Sequence, residues 1–89
     1  PDVVYNLAVL HRKEGELRQA ADAFGRVVEL DASREAAYID LARVLIEDGR
    51  YNPARMVLMS FVERFPRSGN LENAQTALRE LAQMGPGRP

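Results

Sequence analysis

Cysteine is absent from the 89 residues, and histidine occurs once, at position 11. Without thiols the chain has no disulfide framework, no thiolate nucleophile and no cysteine-ligated zinc or iron-sulfur site. A lone His11 supplies neither a paired ligand set nor an HExxH helix. The missing cysteine is compatible with an oxidising compartment without indicating one. An excess of one charge is lacking too: Lys and Arg number 12 and Asp and Glu 13, a formal balance of -1. No net positive field exists to gather nucleic acid or an anionic membrane surface. No apolar run approaches the roughly 18 residues that a spanning helix needs. Neither nucleic acid nor membrane insertion is therefore expected.

The opening Pro1-Asp2-Val3 has no initiator Met and none of the basic and apolar regions of a signal peptide. The chain reads as a soluble segment of a longer one, and its compartment, cytoplasmic or bacterial periplasmic, stays open. Its length allows one small domain burying roughly 60 to 65% of its unfolded surface, too little for an enzyme core with a deep cleft. Ser33, Ser60 and Ser68 lack a GxSxG context, and no GxxxxGK or GxGxxG is present to cradle phosphate. The reading is of a protein that is not an enzyme and takes no cofactor or metal.

What the chain does hold is an internal repeat. Residues 1–34 laid over 35–68 place Leu7 on Leu41, Ala8 on Ala42, Gly15 on Gly49, Ala20 on Ala54, Val28 on Val62 and Glu29 on Glu63. Leu10 with Val44, Leu17 with Tyr51, Phe24 with Leu58 and Val27 with Phe61 keep their character. One gapless offset of this kind signals stacked helical or strand units. Spacing decides for helices: Val4, Leu7, Ala8, Leu10 and His11 recur at three and four residues, as do Tyr38, Leu41, Ala42, Leu45 and Ile46. Gly15 and Gly49 follow, where positive φ turns the chain. Second stripes then run through Leu17, Ala20, Ala21, Phe24, Val27 and Val28, and through Tyr51, Ala54, Val57, Leu58, Phe61 and Phe65. Each unit is an antiparallel helix pair.

The punctuation predicts the boundaries. Asp31-Ala32-Ser33 offers cap oxygens, with Glu35 in the following first turn. Asn52-Pro53 reads as a cap followed by proline at the first helical position. Phe65-Pro66-Arg67-Ser68-Gly69-Asn70 is a stop and restart, with Ser68 or Asn70 as the next cap. Residues 69–84 carry one stripe, Leu71, Ala74, Leu78 and Leu81, with Asn73, Thr76, Arg79, Glu80 and Gln83 largely outside it. An end cap needs that pattern, one face for the last pair and one for water. Residues 85–89, with two glycines and two prolines, are expected as a disordered tail.

This pattern resembles the tetratricopeptide repeat family: the 34-residue period, the Leu7-Ala8 and Leu41-Ala42 steps, the turn glycines, Ala20 and Ala54, Phe24 and Leu58, and Pro66. Departures are Val4 where copy two has Tyr38, His11 and Leu45 at a tyrosine position, and Ala32 at a proline position. The resemblance implies an all-α, right-handed solenoid of five helices, with repeats over 1–34 and 35–68, whose first helices line a concave, partner-binding surface. Residues 61–68 also resemble the junctions of periplasmic bacterial members.

On that surface the matching positions are Tyr5, Asn6, Val9, Arg12 and Lys13 from copy one, beside Asp2. Ile39, Asp40, Arg43, Ile46 and Glu47 follow from copy two, beside Ala36. Isoleucines, a valine and a tyrosine among charges suit a groove for a protein or peptide segment. The same residues equally suit contacts with neighbouring repeats or a second copy. The family's clamp for a free peptide carboxylate is not expected, because its positions hold Tyr5, Val9, Asp40, Asn70 and Ala74. His11 reads as a packed or half-exposed residue without a positioned carboxylate, and Met56 and Met59 as gap fillers. The acids Glu14, Glu16, Glu47 and Asp48 near the turns lack the spaced ligands of a calcium loop. Val3, Val4 and Leu10 leave an N-terminal edge without a covering helix, so self-association, or service as an appendage of a larger bacterial enzyme or assembly protein, is the alternative to segment binding.

Overall fold

The computed structural model describes residues 2–85 and Gly87; of the expected tail, Pro86, Arg88 and Pro89 lie outside the described residues. Five helices run in order, α1 Asp2–Lys13, α2 Leu17–Leu30, α3 Glu35–Glu47, α4 Tyr51–Arg64 and α5 Leu71–Met84, with no strand among the described residues. Each helix packs mainly on its neighbours in sequence: α1 on α2, α2 on α3, α3 on α4 and α4 on α5. A helix pair alone cannot hide its apolar stripe, so neighbours complete the core. The molecule is accordingly a slab, 33 × 30 × 17 Å.

Small residues set the close approaches. Ala8, Ala20 and Ala54 have no exposed surface and Ala42 has 2%, so equivalent positions of the two copies are buried alike. Phe24, Val27, Leu58 and Phe61 fill the space between helices. Gly15 and Gly49 have φ of 78° and 74°, a region in which a Cβ is strained. There the last carbonyls of α1 and α3 accept from the turn, as in Glu16 N–H to His11 O at 2.9 Å and Arg50 N–H to Leu45 O at 2.8 Å.

The caps differ from the sequence reading. Helix α3 starts after Arg34, and Asp31 instead accepts from the Ser33 N–H at 3.1 Å and the Ser33 hydroxyl at 2.6 Å. A short acid two residues before a donor closes its own turn before it can reach a helix end. These bonds, the hydroxyl first, hold the Asp31 carboxyl below its ordinary value. Asn52 is no cap either: α4 starts at Tyr51, which puts Pro53 third. Proline costs little there because no first-turn N–H has an intrahelical acceptor. Asn70 flanks α5 without a side-chain cap bond, and its N–H donates to Ser68 Oγ at 3.0 Å.

The second junction is longer than the first. Residues 31–34 join α2 to α3, whereas 65–70 join α4 to α5, two residues more. Helix α5 therefore starts 36 residues after α3 (71 − 35), and the 34-residue offset does not extend into it. Its Ala74 and Leu81 are buried, with Leu71, Ala77 and Leu78 half-buried. Arg55 of α4 ties its far end, donating through Nη1 to Leu81 O at 2.6 Å and Gly85 O at 3.2 Å. Those are carbonyls that a helix end leaves without partners. Gly87 (φ 73°) approaches the α3–α4 turn so closely that a Cβ would lie 2.3 Å from Gly49 O.

Candidate functional site

The ten residues expected on the concave surface come from α1 and α3, and most of the polar ones bond to one another. The Tyr5 hydroxyl donates to Asp40 Oδ2. The Tyr5 ring meets Phe24 edge-on at 5.6 Å, and the Arg34 guanidinium lies 4.3 Å from its centroid. Arg12 donates through Nε and Nη2 to Glu47 Oε1 at 2.9 and 2.7 Å. Arg34 also reaches Asp2 at 2.7 Å, and that bond with its charge holds the fully exposed Asp2 carboxyl below its ordinary value. Together these form a seam that sets α1 against α3. The exposed pairs are screened by solvent and individually weak, so the half-buried Tyr5 is the firmest stitch.

The hydrogen bond to Asp40, then burial, then the Asp40 charge push the Tyr5 phenol above its ordinary value of 10.0. The folded state thus holds this proton more tightly than the unfolded one. Its contribution to stability is full below pH 10.0 and is lost as pH rises through the raised value. In an ultraviolet titration Tyr5 should ionise late, and Tyr5→Phe should remove that late fraction and about 0.5 to 1.5 kcal/mol of stability. A Tyr5 titration in the ordinary range would contradict the hydrogen bond.

The remaining expected residues lie as follows. Asn6 and Lys13 are exposed, Val9 is half-buried against the core, and Arg43 is exposed with Nη1 3.9 Å from Asp40 Oδ1. Ile39 and Ile46 are half-buried and belong to a different feature, a slot of about 240 Å³ between α3 and α5. Ala42, Arg43 and Glu47 of α3, Leu58 of α4, and Asn73, Ala74 and Ala77 of α5 complete it.

The repeat explains why the slot opens here and not between α1 and α3. Thirty-four residues after Tyr5 and Arg12 stand Ile39 and Ile46, and thirty-four after Phe24 stands Leu58. At the first junction Tyr5 on Phe24 fills the space, and polar tips reach across to acids. At the second, Ile39 and Leu58 are smaller and carry no polar tip, while α5 answers with alanines. What remains is an apolar slot with Arg43 and Glu47 at its rim. Of the α5 contributions, Ala74 was named from sequence for this surface only as a position where the family's carboxylate clamp is missing, and Asn73 and Ala77, with Leu58 beneath them, were not singled out for it. The signal for Leu58 was present in the shrinkage from Tyr5/Phe24 to Ile39/Leu58. The α5 residues were masked by the two-residue lengthening of the junction.

His11 differs from expectation in having a carboxylate beside it: Nδ1 lies 2.8 Å from Glu16 Oε1. The reversal at Gly15 brings together two residues five apart. With Glu14 they form a group whose donor atoms lie within 4.8 Å of one another. The two glutamates are exposed, and the hydrogen bond accounts for the approach of His11 and Glu16 without an ion. Met56 and Met59 are 69% and 54% exposed, so neither fills the core; Met56 borders a shallow hollow beside Tyr38 and Leu41 of α3.

No curated protein matches the chain. A family model described as the tetratricopeptide repeat matches residues 11–68, nearly two thirds of the length, and takes in the two turn glycines, the buried Ala20 and Ala54, and Pro66. With its paired helices, its equivalently buried small residues and this match, the chain belongs to the tetratricopeptide repeat family.

Proposed function

We propose that this protein is a non-catalytic binding module that holds an apolar segment of a partner protein in the slot between α3 and α5. Repeats of this family generally mediate protein–protein interaction or scaffolding. The observation that carries the finer reading is the slot itself, walled by two helices and lined by Ile39, Ile46, Leu58, Ala74 and Ala77. Its volume of about 240 Å³ falls below the roughly 300 to 1,000 Å³ of sites for whole small molecules. One or two side chains of a peptide fit it better. Arg43 and Glu47 at the rim, with Asn73, fix the segment's register, while Tyr5, Arg12 and Asp40 hold the wall that α3 provides. Asn6, Val9 and Lys13 lie on the α1 side of the same surface and meet the segment's continuation. Because both walls are preformed, little ordering cost offsets binding.

Peptides selected by display from a random library against the native protein test this. Ala77→Phe fills the slot from its half-exposed wall, and affinity for such peptides should fall about tenfold or more, the scale of one blocked anchor. Unchanged affinity in the folded variant would overturn the assignment of the slot.

A further inference from the structure

We propose that Gly85 and Gly87 form a strap beyond α5 that limits how far the slot can open, and so sets the size of the side chain the slot accepts. This rests on the slot being the binding site. Helix α5 packs mainly on α4 and not on α3, since the slot lies between α3 and α5. Direct packing therefore does not fix the spacing of the two walls. They are joined at their ends instead. At the near end Ser68, in the junction before α5, donates to Oε1 of Glu35, the first residue of α3, at 2.5 Å. At the far end Gly87, beyond α5, rests on Gly49, in the turn that follows α3.

The strap is fitted to that contact. Gly85 ends α5 at φ 79°, and its carbonyl accepts from Nη1 and Nη2 of Arg55, both at 3.2 Å, which fixes the last turn of α5 on α4. A Cβ at Gly15 or Gly85 would meet nothing within 4 Å, so those positions need glycine for φ alone. At Gly87 a Cβ would also lie 2.3 Å from Gly49 O and 2.6 Å from Tyr51 Cδ2. That oxygen belongs to the backbone of a turn closed by its own hydrogen bond, Arg50 N–H to Leu45 O at 2.8 Å, and does not yield as a side-chain tip would. Only glycine brings the chain this close. A side chain too large for the slot must drive α5 away from α3, and the strap bears that displacement. Gly87 is therefore a positioning residue, acting on ligand size through the placement of α5. It is exposed and lies past the last helix, so freeing the strap empties no part of the core.

Gly87→Val sets a β-branched side chain at a left-handed φ and against that backbone oxygen, and should free the strap with the melting temperature little changed. Because the chain has no cysteine, Lys13→Cys and Gln83→Cys, both at exposed positions, take a pair of spin labels. Pulsed electron resonance on the free chain should show their distance distribution broaden to longer values when Gly87→Val is added. Isothermal titration then compares a display-selected peptide bearing valine or phenylalanine at its slot-filling position. The affinity ratio of the phenylalanine form to the valine form should rise about tenfold or more in Gly87→Val, the low end of what a change in pocket size discriminates. An unaltered distance distribution, or an unaltered ratio while Ala77→Phe still blocks both peptides, overturns the strap and leaves the slot standing. Both peptides binding Ala77→Phe as they bind the native chain overturns the slot itself, and with it the strap's role in selection.

Discussion

Replacing Phe61 by alanine should lower the melting temperature by about 15 °C or more, since a Phe→Ala cavity costs roughly 3 to 5 kcal/mol and a domain of this size loses several degrees per kcal/mol. Phe61 has no exposed surface. Its ring lies 6.4 Å from Tyr38 and 5.2 Å from Phe65, and Tyr38 meets Phe65 edge-on at 5.3 Å. The three rings join α3, α4 and the loop leading to α5, so the cavity would sit where no single helix can move to fill it. Total stability for 89 residues is on the order of 4 to 13 kcal/mol, and the loss takes a large share of it. Met59→Ala, two residues away and 54% exposed, should change little. Thermal melts followed by circular dichroism check both, and a Phe61→Ala melt within a few degrees of native would contradict the packing described.

Replacing Ile39 and Ile46 by aspartate should abolish binding of display-selected peptides, a loss of about a hundredfold or more for two central anchors. Both isoleucines line the slot and are only half-buried. Each change therefore costs on the order of 1 kcal/mol of stability, a fraction of what full burial would forfeit. Two carboxylates in an apolar slot must stay hydrated, and hydration occupies the space that a partner's side chain needs. Of the rim charges, Glu47 repels the new carboxylates. Arg43, already 3.9 Å from Asp40, can pair with them only by bringing its own charge over the slot, which does not restore an apolar surface. Isothermal titration with a selected peptide measures the loss, and circular dichroism shows whether the helices persist. A folded double variant that keeps native affinity would contradict the slot's role.

The helices were legible because their cause is local and doubled. Alanines at 8, 20, 42 and 54 and glycines at 15 and 49 recur at one offset, and packing needs a small residue or a positive φ at those places in both copies. The caps were less legible. Asp31 and Asn52 have the right chemistry for a helix start, yet each bonds within a few residues, Asp31 to Ser33 and Asn52 to Arg55. Composition does not reveal which of two nearby donors an Asx side chain will take. The residues expected on the concave surface fall on α1 and α3, but their partnerships were not legible. Tyr5 and Asp40, or Arg12 and Glu47, stand 35 apart in sequence, and only the mutual placement of α1 and α3 makes them a closed seam. The slot shifted toward α5 for a related reason: the six-residue junction at 65–70 resets the register, which brings Asn73 and Ala77 opposite Ile39 and Ile46.

The most direct measurement of the central claim is an amide chemical-shift map of the isotope-labelled native chain titrated with a display-selected peptide. The account predicts shifts concentrated on the facing parts of α3 and α5, around Ile39, Arg43, Ile46, Asn73 and Ala77, with the α1 face at Val3 and Leu10 unmoved. Shifts centred instead on α1 or on the exposed side of α4 at Met56 and Met59, with the slot residues silent, would contradict it.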